Sequence, residues 1–143
     1  MYGVRKKFSK DLHDCHDPKS RKVVKEFLKK QGIVVNDNTN KKGVDLISDD
    51  GTLQLELEHR PPWNSHDFPY SEVNILERKK YLGEGKIQYI ILSRDFSRLG
   101  IISGDVIKKY IIDDNLKHNP NKNVWRDEYV YKVPATEFKW IKI

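Results

Sequence analysis

With one cysteine, the chain cannot form an internal disulfide, so its stability has to come from a packed core; a lone thiol also fits a reducing interior. Apolar runs are short. The longest, such as Tyr89 to Leu92, reach about four residues, against the roughly 20 that a membrane-spanning helix requires, so no membrane partner is expected. The segment MYGVRKKFSK has basic residues with no apolar stretch behind them, so no secretory leader is expected either. A cytoplasmic location follows as the expectation. Alanine occurs once, against many Lys, Asn and Ile; that bias suits an AT-rich genome, of a low-GC microbe or of a phage whose product works in the host cytoplasm. Also missing are a P-loop, a G-x-S-x-G elbow and an H-E-x-x-H helix, and with them the chemistries those motifs serve.

What the chain does have is charge. Charged residues make up 34% and hydrophobic residues 37% of its 143 positions. That is polar, yet rich enough in Ile, Leu, Val and aromatics to fold, and long enough to bury about two-thirds of its unfolded surface in one core. One domain spanning residues 1–143 is expected. The net charge of +6 is unevenly placed: residues 1–30 hold ten Lys/Arg and four Asp/Glu, and the remainder holds seventeen of each. A local basic surface attracts polyanions such as nucleic acid, with an affinity that falls as salt rises. The same run also reads as a solvated, lysine-rich helix face.

Asp17 and Pro18 suit a helix start and Gly32 a stop. Between them Val23, Val24, Phe27 and Leu28 share one face, while Arg21, Lys22, Lys25, Lys29 and Lys30 fill the others, giving an amphipathic helix with a basic outer surface. A short strand begins at Ile33–Val35. Residues 43–48 and 52–59 alternate as two more strands, and EVNILERKKYL (72–82) reads as a second helix. Ile87 to Ser93 is an apolar strand, followed by another in RDFSRLGIIS. Residues 105–116 read as a third helix with Ile107, Tyr110 and Ile111 inward, and two short strands flank Pro134. The expected class is α+β with a mixed sheet.

The informative stretch is GVDLISDDGTLQLELEH, residues 43–59. Asp50-Gly51 favours a two-residue type I′ turn, which sets Asp45 opposite Glu56 with Cβ atoms about 5 Å apart. Period-two alternation then puts Glu58 on the same face and Leu53, Leu55 and Leu57 on the core face. Facing anions cost stability. A hard divalent cation bound by oxygen ligands, Mg2+ or Mn2+, would offset that cost; acids that simply face solvent, or that pair with lysines of a neighbouring helix, would also satisfy the pattern.

The order helix (18–31), strand (33–38), strand with an aspartate (GVDLI), hairpin, strand with E-x-E (LELEH), helix (72–82), strand (86–93) resembles the PD-(D/E)XK nuclease superfamily over about residues 17–103. The resemblance implies a restriction-endonuclease-like αβββαβ core, a central mixed sheet flanked by helices, with residues 104–143 as a C-terminal addition. It implies a magnesium-dependent endonuclease that hydrolyses DNA phosphodiesters, with Asp45 and Glu56 as metal ligands. Val44 stands where such motifs often have proline. Glu58 stands where they have lysine. Some members carry E-x-E here, so Glu58 is expected to join the metal or orient the attacking water; otherwise Lys79, Lys80 or Lys42 supplies the missing cation, or the fold only binds nucleic acid.

Expected backbone contacts are Arg21, Lys22, Lys25, His59, Arg60 and Arg78, with Arg60-Pro-Pro-Trp and His66 in a loop leaving the site. The residue types do not separate DNA from RNA. Cutting both strands with one site requires a homodimer or two visits. His13, Cys15 and His16 are close in sequence but lack the downstream pair of a structural zinc site, and Trp125 and Trp140 read as packing residues. A regulatory nucleic-acid binder without catalysis, and a module whose basic helix grips an acidic protein, are the two competing readings.

Overall fold

The computed structural model describes residues 10–39, 44–64, 67–119 and 128–143; for residues 10–17, 119 and 128 it describes the backbone alone. Lys42, His66 and Trp125 lie outside this set, as do the side chains of His13, Cys15 and His16.

The chain begins with helix α1 (Lys10–Lys29), followed by strands β1 (Val35–Asp37), β2 (Leu46–Ser48) and β3 (Gln54–His59). Strand β4 (Glu72–Leu76), a 3-10 segment (Glu77–Gly83), β5 (Ile87–Leu92) and β6 (Arg98–Ser103) come next. A one-turn helix α2 (Gly104–Ile107) leads through short 3-10 turns to β7 (Leu116–Asn119), β8 (Glu128–Pro134) and β9 (Lys139–Lys142). Six strands form a mixed sheet in the order β1-β2-β3-β5-β6-β9, and β4-β8-β7 form a second, antiparallel sheet. The architecture is α+β around a central mixed sheet.

Alternation along β3 decides which layer covers which face. Leu55 and Leu57 point to one side and join Leu46, Val35, Ile90 and Leu92 in a cluster sealed by Val24 and Leu28 of α1, with Val23 and Phe27 packed against it. The inward face of α1 is thus the one its apolar spacing predicts. On the other side Tyr89, Ile91 and Ile102 pack with Trp63, Val73, Ile75, Leu82 and Val133 in a second cluster. The long helix α1 therefore covers one face of the large sheet, and on the other face the one-turn helix α2 contributes Ile107. The second sheet and the 3-10 segment cover that face with it.

Several elements differ from their sequence expectation. The α1 helix starts at Lys10 and takes Pro18 into its interior; the φ of proline suits a helix, but the turn before it loses one hydrogen bond and its carbonyl is crowded by the ring. The loop joining β2 and β3 is wider than a type I′ turn: Gly51 N–H donates to Ser48 O (3.0 Å) and Ser48 N–H to Leu53 O (3.0 Å). Within it Gly51 takes a positive φ of 74°. Asp50 Oδ1 accepts from Ser48 Oγ, Thr52 N and Thr52 Oγ1 at 2.7, 3.0 and 2.7 Å, a side-chain network that builds the wider loop. The register is unchanged, with Leu46 opposite Leu55 and Ile47 opposite Gln54, because the loop gained one residue on each side.

Residues 72–82 are not a helix. Val73 and Ile75 are fully buried at period two and pair with Val133 and Tyr131 of β8, so a distant strand captures the segment before the 3-10 turn begins. Residues 105–116 hold one helical turn followed by 3-10 turns, and the chain leaves helical geometry at Ile111 (φ −87°, ψ 72°). Ile107 is buried as expected, with Tyr110 and Ile111 packed beside it. At Gly104 a Cβ would sit 1.8 Å from Glu84 O, so only glycine fits this crossing.

Candidate functional site

Strand β2 begins at Leu46, one residue after Asp45, and the ladder shifts there: Asp45 N–H donates to Leu55 O (2.9 Å). The next amide of β3 would have no strand partner. The Asp45 carboxylate takes that place, its Oδ2 accepting from Leu57 N–H at 2.8 Å, while Oδ1 lies 3.4 Å from Arg21 Nη2. This holds Asp45 beside the side chain of Glu56.

Glu56 occupies a central strand and is 8% exposed. Its Oε2 is buried with no hydrogen-bond partner among the described residues. Burial, reinforced by the charge of Asp45, pushes its carboxyl up to about 7, against an ordinary 4.5; the Lys79 ammonium and the Tyr81 hydroxyl pull the other way. Tyr81 is in turn raised to about 12 by burial and by Glu56.

Glu58 shares the β3 face with Glu56 but has other company. Arg60 Nη2 lies 2.9 Å from its Oε2, and the buried Tyr89 hydroxyl donates to the same oxygen. Burial disfavours its charge, yet Arg60, Lys79 and Tyr89 outweigh this and hold its carboxyl below the ordinary range. The three acids therefore do not converge on one point as the hairpin geometry predicted. Asp45 and Glu56 form a pair, and Glu58 is a separately compensated neighbour. Among the described residues no group of three or more His, Cys, Asp or Glu side chains gathers to hold an ion.

Of the lysines expected to complete the site, Lys79 is half-buried and acts electrostatically on both Glu56 and Glu58, whereas Lys80 is exposed. The 3-10 segment kinks at Lys79 (φ −101°, ψ 19°), and as neighbours on a helical turn the two lysines face different sides. Arg78 is exposed beside them.

The basic residues of α1 are partly engaged. Arg21 lies near Asp37 (3.6 Å) as well as Asp45, and Lys25 contacts Asp37 at 2.8 Å; the Lys25 contact, with Arg21, holds Asp37 below its usual range. Lys22 is exposed. With Lys29 these side chains line a groove of about 610 Å³ along the helix. His59 stacks on Phe96 at 4.4 Å and its Nε2 lies 3.0 Å from Arg94 O. Arg60 is spent on Glu58, Tyr89 and the Asn74 carbonyl.

Tyr81 and Tyr89 carry no site role in the sequence reading. Tyr89 is the register partner of Glu56 on the parallel strand β5, so the β3–β5 pairing was the signal that could have found it. Tyr81 follows Lys79 by two residues in a segment whose path depends on the kink. Compared with protein-family models and with curated proteins, the sequence matches none.

Two carboxylates side by side suit Mg2+ or Mn2+, which are usually bound through one or two protein carboxylates with water and substrate phosphate completing the shell. The buried, unpartnered Oε2 of Glu56 is the feature that fits a cation best, because an orphaned anionic oxygen is costly without one.

Proposed function

We propose that the protein is a divalent-metal-dependent endonuclease acting on DNA, with Asp45 and Glu56 as the residues that hold the cation. The observation carrying this reading is the Asp45–Glu56 pair with the Lys79 ammonium beside it: two acids and one lysine at the end of a mixed-sheet hairpin, the composition of a PD-(D/E)XK site with its lysine supplied by the segment after β4. The order α1, β1, β2, β3 and the parallel partner β5 supports a restriction-endonuclease-like core. Its crossover departs from that pattern, since β4 and a 3-10 segment stand where a helix is usual.

When bound, the cation would polarise a phosphoryl oxygen and acidify water. Leu57 N–H and Arg21 fix the Asp45 carboxylate in place. Lys79 neutralises charge on the phosphate and keeps Glu58 ionised. Glu58, held by Arg60 and Tyr89, orients the attacking water. Lys22, Arg78 and the α1 groove hold the backbone, which positions the substrate without reading its sequence. A homodimer would place two such sites on a duplex.

The test is nicking of supercoiled plasmid with Mg2+ or Mn2+. Conversion to open circles that disappears with EDTA and with Asp45→Asn is the expected result. A wild-type protein that never nicks, yet shifts DNA in a salt-sensitive way, refutes catalysis. That outcome supports the second reading, a binder on a nuclease-like fold, which the fixed Glu58–Arg60 ion pair favours because it fills the lysine position of the motif with a compensated acid.

A further inference from the structure

Next to Glu58 runs a groove of about 530 Å³ in which Arg60 is the one residue shared with that chemistry. One wall is the outer face of the small sheet. Asn74 and Lys132 are register partners on β4 and β8 and line the groove together, whereas Val73, Ile75 and Val133 turn into the core. The other wall is the loop after β3, where Trp63 and Phe68 pack edge to face at 5.4 Å and Phe68 and Tyr70 at 5.5 Å. Trp63 is 2% exposed and anchors the stack, but Tyr70 at its outer end is 55% exposed. Tyr70 thus leaves an aromatic ring accessible at the mouth of the groove.

The floor connects to the candidate site. Arg60 lines the groove, and its Nη2 bonds both Glu58 Oε2 (2.9 Å) and Asn74 O (3.0 Å). Arg60 Nε is buried without a partner among the described residues. The groove thus offers a flat aromatic face, an amide with both donors and acceptors, and cationic groups, all within one arginine of the acids. Its volume lies within the roughly 300–1,000 Å³ of small-molecule sites.

We propose that this groove receives an unpaired nucleobase, stacked on Tyr70 and bonded along its edge by Asn74, so that the substrate is DNA with an unstacked nucleotide next to the scissile phosphate. The inference rests on the nuclease reading and narrows its substrate class from any duplex to flaps, loops or bulges. Stacking on an exposed aromatic is tolerant of base identity, so the groove selects for an unpaired base and not for a sequence. A paired base cannot enter, because its faces are covered by its neighbours in the duplex.

The experiment compares three fluorescein-labelled duplexes by fluorescence anisotropy in Ca2+: fully paired, with one central unpaired adenine, and with an abasic site in its place. Wild-type protein is expected to bind the adenine bulge more tightly than the abasic duplex, by about 5- to 140-fold if one base stack is at stake. Tyr70→Ala should erase that ratio and Tyr70→Phe should keep it; circular dichroism of both variants confirms folding, which an exposed side chain should not disturb. Equal wild-type affinity for the bulged and abasic duplexes, or a preference that survives in Tyr70→Ala, overturns the inference while plasmid nicking leaves the nuclease reading standing. Failure to bind any duplex and to nick plasmid refutes that reading and this one together. A dimer in sedimentation that Tyr70→Ala dissolves assigns the groove to a second copy of the chain, and also overturns it.

Discussion

Replacing Glu56 with glutamine tests the electrostatics of the site without any substrate. In the folded protein Glu56 titrates near 7 because it is buried beside Asp45, whereas its ordinary value is 4.5. The folded state therefore holds a proton that the unfolded state has lost between those two values. Stability from this group is full below about 4.5, falls as pH rises through 7, and is lost above it. At about 1.4 kcal/mol per pH unit of separation, the full swing is at most ~3 kcal/mol. Glu56→Gln keeps the shape and removes the titration. In EDTA, the stability difference between variant and wild type should shift in favour of the variant by up to ~3 kcal/mol between acid and alkaline pH, or about 10 °C in Tm. Urea or thermal unfolding of both proteins across that range measures it, and groups common to both cancel in the difference. Mg2+ at alkaline pH should then stabilise wild type, by about 2.7 kcal/mol at a hundredfold excess over its Kd, and leave the variant nearly unmoved. A difference that stays flat with pH would refute the argument that an uncompensated buried acid sits here.

Two further outcomes follow from the same geometry. Lys79→Met removes a charge that favours ionised Glu56 and Glu58, so nicking should fall by about 100- to 1,000-fold, as for loss of one charge-stabilising donor, and the pH at which Glu56 titrates by NMR should rise; Lys80→Met should do neither. Gly104→Ala would drive a methyl group against Glu84 O, so the variant should lose about 1–3 kcal/mol or more in urea unfolding, with residual activity at low temperature if the acids are undisturbed.

The parts of the fold that sequence made legible are those fixed by local repetition. Leu53, Leu55 and Leu57 alternate with Gln54, Glu56 and Glu58, and no strand geometry can put both sets on one face, so the core side and the acid side of β3 were settled by period alone. The β2–β3 register was recovered despite a misread turn, because a slip by one residue would have exposed Leu55 and buried Gln54. Failures have the opposite character. Residues 72–82 show helix-compatible spacing, and nothing local reveals that Val73 and Ile75 are claimed by a strand some sixty residues later. Lys79 and Lys80 are equivalent as text, and only the way the segment packs against β3 decides that Lys79 is the one beside the acids. Pairing of all three acids around one ion was reasoned from β2 and β3 without the partner that β5 and the loop after β3 bring to Glu58.

That partner changes what the acidic face means. Three carboxylates lie close together, and the fold compensates two of them from its own atoms. Asp45 is held by a backbone N–H and approached by Arg21, and Glu58 is gripped by Arg60 and Tyr89. Glu56, the most enclosed of the three, has an oxygen with no partner, in a chain that carries 27 lysines and arginines and a net charge of +6. Counter-charge is abundant, so its shortage at this one oxygen is a matter of placement. Cores dominated by the Leu55 and Tyr89 clusters would tolerate a glutamine or a methionine at position 56 with a gain in stability at neutral pH. A glutamate there makes physical sense when something positive and external completes it, and on the proposed nuclease reading that completion is a cation held with Asp45 and shared with a phosphate beside Lys79.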